Sequence, residues 1–175
     1  MSETGRAPSR RLFFALWPTD SLRAQIHQQT LEAVQQAACR PVAVRNLHVT
    51  LLFLGSIAHD RIAEVVAAAE AVRGAQFELQ FDHLEVWPRA KVLVLTASVT
   101  PPQLASLVEG LRISLLQRQV VLQPEEYRPH LTLARNVSRR EPAPSLPVSW
   151  RVTDFVLVES TTGPNYQVIA RWPLA

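Results

Sequence analysis

Two four-residue segments carry the residue types that could do chemistry: His48-Val49-Thr50-Leu51 and His130-Leu131-Thr132-Leu133. Side chains on a strand alternate between faces, so each histidine and its threonine point one way while Val49, Leu51, Leu131 and Leu133 point into a core. Each segment then offers one imidazole and one hydroxyl. Brought together, the four groups form a small pocket suited to a tetrahedral anion, with the hydroxyls donating to its non-bridging oxygens. Cleavage of a phosphodiester needs one proton removed from the attacking oxygen and another delivered to the leaving oxygen on the opposite side. Two imidazoles meet that need, because an ordinary pKa of about 6.5 lets one be neutral and the other charged near neutral pH, each contributing roughly 10² to 10⁴ in rate. Neither segment carries a neighbouring carboxylate at ligand spacing, so no metal and no cofactor are expected.

The elements that must position these groups can be read from periodicity and punctuation. Leu12 to Trp17 is an apolar strand ended by Pro18, and Asp20 is expected to cap a helix through about Ala38, with Leu22, Ile26, Ala33 and Ala37 at helical spacing. His48 to Leu54 reads as a strand closed by Gly55, and Asp60 as the cap of a second helix carrying Ile62, Val65, Val66, Ala69 and Val72. Phe77 to Trp87 is extended, and Lys91 to Val99 is a strand. Pro101 and Pro102 lead into a third helix with Leu104, Leu107, Val108, Leu111 and Leu115 on one face. His130 to Ala134 is a short strand, Ser138 to Pro147 an exposed loop, and Trp150 to Glu159 and Tyr166 to Trp172 a hairpin around Gly163-Pro164-Asn165.

The order of elements repeats. Strand, helix, loop and a His-x-Thr-Leu strand run from Arg11 to Leu51 and again from Lys91 to Leu133. Such a duplication predicts an α+β fold of two pseudo-symmetric lobes, each a small, mainly antiparallel sheet with helices packed outside. The cleft between them would bring the two motifs face to face.

Length and composition agree with one domain. The chain has 175 residues, 47% hydrophobic and 19% charged, which suits a packed domain over residues 10–175 behind a disordered tail over residues 1–9. Cys39 is the only cysteine, so no intramolecular disulfide forms and an inert side chain is expected. No stretch approaches the roughly 18 apolar residues of a membrane span, and Met1 to Arg10 holds no apolar run of signal-peptide length. A cytoplasmic monomer without membrane contact is expected. The net charge is +3 and Lys91 is the only lysine. Arginine's planar fork pairs with phosphate through two hydrogen bonds, so an acidic or nucleic-acid partner is permitted. Arg139 and Arg140 are candidates for RNA phosphates, against a solvated loop. Phe14 and Tyr127 are candidates for stacking on a nucleobase, with core packing the alternative for Phe14. His27, His59 and His83 are expected to be structural or solvated.

Together with the opening Arg11-Leu12-Phe13-Phe14-Ala15-Leu16 and the run Arg128-Pro129-His130-Leu131-Thr132-Leu133-Ala134-Arg135, the two motifs make the sequence resemble the two-histidine phosphoesterases. Within them it is most similar to the RNA 2′,3′-cyclic phosphodiesterases, also called 2′-5′ RNA ligases. The resemblance runs from Arg10 to the C-terminus. It implies that His48 protonates the leaving 3′ oxygen, that His130 activates water, and that the product is a 2′-phosphomonoester. It also implies that Thr50 and Thr132 hold the phosphate while Arg135 neutralises it. Arg135 lies five residues after His130, so strict alternation puts it on the opposite face unless the strand bends or ends, and Phe53 holds the equivalent place in the first motif. The implied partners are RNA ends or nucleotides bearing a 2′,3′-cyclic phosphate. Two other readings use the same motifs: ATP-independent 2′-5′ ligation, and an RNA or nucleotide binding module without turnover.

Overall fold

The computed structural model describes residues 8–123, 126–138, 147–161 and 165–175. The first strand, β1 (Ser9–Leu16), pairs antiparallel with β3 (Val49–Ala58) on one side and β9 (Asp154–Ser160) on the other, and β10 (Tyr166–Pro173) completes that edge. The other half contains β7 (His130–Arg135), β6 (Val92–Thr96) and β5 (His83–Trp87), with the two-residue β2 (Arg40–Pro41) also laid against β7. The fold is α+β and every described strand pair is antiparallel. The two lobes' strands are not separate sheets. β3 and β7 pair at Val49 and Leu131, so the halves join into one eight-stranded sheet.

Two long strands expected from the sequence are each broken. Phe77 to Trp87 divides at Asp82 into β4 (Phe77–Phe81) and β5, and the segment ending at Glu159 divides at Thr153 into β8 (Val148–Val152) and β9. β4 and β8 leave the main sheet and pair with each other, centred on Leu79 opposite Trp150. Both junctions, Val49 with Leu131 and Leu79 with Trp150, join corresponding elements of the two halves, as a pseudo-two-fold axis requires. The expectation of a hairpin between β9 and β10 holds in the pairing, while Gly163 and Pro164 of its turn lie outside the described residues.

The helices repeat with the strands. α1 (Asp20–Gln36) and α3 (Pro102–Gln117) begin 82 residues apart, the same spacing as His48 and His130. Each packs across the axis, α1 on β7 and α3 on β3, and α2 (Ile62–Glu70) lies against α3. One apolar cluster takes in Ile26, Val65, Leu107, Leu111, Val49 and Leu131 together with Phe77, Leu79 and Trp150 of the small ribbon. The helices therefore cover one face of the sheet. The cap of α1 is Thr19, whose Oγ1 accepts from the Leu22 amide at 3.3 Å, because Thr19 is extended while Asp20 is already the first helical residue. Asp60 does not cap α2. It lies inside a 3₁₀ turn, His59–Arg61, that runs straight into the helix. The tail expected over residues 1–9 is placed at its end: Ser9 pairs with Ala58, and the Pro8 carbonyl accepts from the His59 amide at 2.9 Å.

Candidate active site

The pairing of Val49 with Leu131 sets the geometry of the two motifs. One residue to either side, His48 stands across from Thr132 and Thr50 across from His130. The four side chains lie on the face opposite the helices, all half-buried, while Val49, Leu51, Leu131 and Leu133 go into the core. The two rings are held alike. His48 Nδ1 meets the Asn46 carbonyl at 2.6 Å and His130 Nδ1 meets the Arg128 carbonyl at 2.8 Å. A carbonyl only accepts, so Nδ1 carries the hydrogen in both and Nε2 is the nitrogen available for proton transfer.

The rings behind the histidines differ. His48 stacks on Trp17 with centroids 5.4 Å apart and meets Phe13 at 5.1 Å and the edge of Tyr166 at 5.3 Å. The Arg23 guanidinium covers the Trp17 ring at 4.9 Å, and its Nε donates to the Leu47 carbonyl at 3.2 Å. Burial pushes the His48 pKa down to about 4; the Asn46 carbonyl works against it, and Arg135, His130 and Arg23 add to it by repelling a charged ring. His48 is therefore neutral at pH 7 in the free protein. His130 packs on Trp87 at 4.5 Å, and Arg128 covers Trp87 at 5.5 Å. The Glu85 carboxylate gathers this side, accepting from Thr96 Oγ1 at 2.8 Å, Trp87 Nε1 at 3.1 Å and the Arg128 guanidinium. Burial alone would raise the Glu85 pKa, but those three donors outweigh it and hold it lowered.

Arg135 reaches the same face as the histidines through a β-bulge. On β6, Val94 pairs with Thr132 and the next residue, Leu93, with Ala134, so Leu133 is skipped. Leu133 and Ala134 are consecutively buried and alternation resumes one residue late, which returns Arg135 to the side of His130 and Thr132. β3 does the same at Leu51, between Phe14 paired with Leu52 and Ala15 paired with Thr50. Its counterpart of Arg135 is Phe53, 51% exposed and 5.9 Å from Phe13.

Phe14 is not at the site. It is fully buried on the helix face beside Phe155 and Trp172, and its neighbour Phe13 faces His48 instead. β1 is central and buried on both faces, so its apolar run carries no alternation from which to choose between the two. Tyr127 lines a cavity of about 90 Å³ beside His130, with Thr50, Phe53, Trp87 and Arg112, but its buried hydroxyl has no partner among the described residues and its ring also packs on the core. Glu85 and Trp87 had a readable signal, since they alternate with Leu84 and Val86 on an edge strand. His27, His59 and His83 are exposed; His83 lies two strands from His130, through Thr96, and bonds Asp82, and Arg139 and Arg140 lie outside the described residues. A second cavity, of about 400 Å³, lies between α1 and β7, with Cys39 in its wall, and touches neither histidine. Among the described residues no three His, Cys, Asp or Glu converge as for a metal, and no helix is long and apolar enough to cross a membrane.

A duplicated antiparallel α+β fold presenting one His-x-Thr pair from each half on a shared open face defines the two-histidine phosphoesterases. Residues 16–94 match the family model described as LigT-like phosphoesterase. Over 94% of its length the chain is 31% identical to an RNA 2′,3′-cyclic phosphodiesterase of Escherichia coli, covering 97% of that protein. It is 29% identical to one of Thermus thermophilus, covering 90% of it. The crystal structure of E. coli LigT complexed with 3′-AMP superposes with a TM-score of 0.86 over 95% of this chain and 99% of that one, at 31% identity. The chain belongs to the LigT-like phosphoesterases.

Proposed function

We propose that this protein hydrolyses the 2′,3′-cyclic phosphate of an RNA end or nucleotide to a 2′-phosphomonoester, using His48 and His130 as acid and base. The observation that carries the reading is the pair of Nδ1-anchored imidazoles, each facing the other strand's threonine across one antiparallel junction. Water attacks phosphorus from the His130 side and gives its proton to Nε2 of that ring. The bond from phosphorus to the 3′ oxygen breaks on the far side, and His48 hands its proton to that oxygen. Thr50 and Thr132 donate to the non-bridging oxygens, and Arg135 balances their charge. Burial above all keeps His48 neutral in the free protein, so it becomes an acid once the bound phosphate anion favours the charged ring. Phe53, exposed beside Thr50, offers a ring for the base. All these groups come from one chain, which suits a monomer, and the lone Cys39 asks for no oxidising compartment, which suits the cytoplasm. The names of the relatives from E. coli and T. thermophilus support the same reaction.

The test incubates the protein with a 2′,3′-cyclic nucleotide in the presence of chelator and follows phosphorus by NMR. A 2′-phosphate is expected; a 3′-phosphate would overturn the regiochemistry, and no turnover the enzymatic reading. His48→Ala and His130→Ala should each lower turnover at least about 10²-fold with circular dichroism unchanged. Full activity in either would sink the acid-base pairing.

A further inference from the structure

A cation that the reaction proposed above does not use is Arg40. It lies on β2, directly opposite Arg135 of β7, and direct cross-strand partners point to the same face with Cα atoms roughly 5 Å apart. The bulge at Leu133 brings Arg135 to the histidine face, and Arg40 comes with it. Its neighbour Pro41 confirms the parity, turning to the helix side, where it lines the cavity against α1 with Leu133. Both arginines are exposed, and neither makes an ion pair or side-chain hydrogen bond with any described residue. Like charges placed directly opposite each other repel, and an anion between or above them would relieve that repulsion.

Resting on the hydrolytic reading above, we propose that Arg40, beside Arg135, forms a second phosphate subsite for the phosphodiester preceding the cyclic phosphate, so that the preferred substrate is an RNA end rather than a mononucleotide. The position fits the direction of the chain. β6 occupies one edge of β7, and β3 and β2 share the other, so Arg40 lies on the His48 side of the site. His48 serves the leaving 3′ oxygen, hence the ribose, and the rest of the strand trails from that ribose. Arg135 meets the cyclic phosphate and Arg40, one strand further along, meets the next. A guanidinium is suited to this because its fork takes two phosphate oxygens at once and reads no base.

The experiment compares adenosine 2′,3′-cyclic phosphate with a dinucleotide ending in the same cyclic phosphate, at low ionic strength, in wild type, Arg40→Ala and Arg40→Gln. Wild type should favour the dinucleotide by about tenfold in kcat/KM, the effect of one charge-assisted phosphate contact. Both variants should lose that preference while keeping the wild-type rate on the mononucleotide and an undiminished melting temperature. A wild type that turns over both substrates equally, or a variant that keeps the preference, would overturn the subsite alone. A wild type inert on both would overturn the hydrolytic reading and the subsite with it.

Discussion

His48 and His130 have the same hydrogen bond behind them and different electrostatic surroundings, and the difference is measurable. His48 is pressed by burial above all, and then by Arg135, to a pKa of about 4, below its ordinary 6.5. In kcat/KM, which reports the free protein, the acid limb should therefore fall near pH 4. In kcat, which reports the complex, it should move upward, because the phosphate anion favours the charged ring. Arg135→Gln should raise the limb in kcat/KM by removing one repelling cation, and a limb that stays put would show that Arg135 does not act on His48. The same group makes stability depend on pH. The unfolded chain binds a proton at His48 that the folded chain refuses between about 6.5 and about 4, so stability is full above 6.5 and falls as pH is lowered through that window. The loss is at most about 3 kcal/mol, lessened by the ring's partial exposure. Thermal melts of wild type and His48→Gln should diverge from pH 7 to pH 4, with the variant less sensitive; parallel curves would rule the linkage out.

At the level of elements, the strand-helix repeat was legible because strong apolar periodicities and prolines marked it, and both motifs fell on the strands expected of them. What was not legible was where a strand changes partner. Asp82 and Thr153 interrupt apparently continuous runs, and nothing local says that β4 and β8 leave the sheet to pair with each other, since that choice is made by the core both cover. The bulge at Leu133 was equally hidden. Its extra residue appears only in the register with β6, and it resolves the parity that alternation assigned wrongly to Arg135. On β5, by contrast, Glu85 collects three donors that hold Trp87 and Arg128 about His130. Glu85→Ala should lower kcat about tenfold with KM little changed, through lost positioning of the ring. It should also cost about 1–3 kcal/mol, because the buried Thr96 hydroxyl loses its acceptor. A KM effect with kcat intact would place Glu85 in binding instead.

On the scale of the whole molecule, the two lobes inferred from the duplication are halves of one sheet, and their helices pack across the axis onto each other's motif strand. A single apolar cluster then spans both halves. Urea unfolding should be one transition, with tryptophan fluorescence and far-ultraviolet circular dichroism coincident; separated transitions would mean that the halves fold independently. The duplication also explains why sequence alone could name both histidines and yet not rank them.

A catalytic pair related by a two-fold axis has no head and no tail, and would accept a strand threaded either way. The twin bulges remove that ambiguity, because the one at Leu51 delivers Phe53 and the one at Leu133 delivers Arg135 to corresponding corners of the pocket. A ring at one corner and a cation at the other add to the asymmetry that the unlike surroundings of the two imidazoles already set. On the function proposed above, orientation of the ligand rests on two side chains that carry no proton themselves, and exchanging Phe53 tests it without touching the cation that acts on His48.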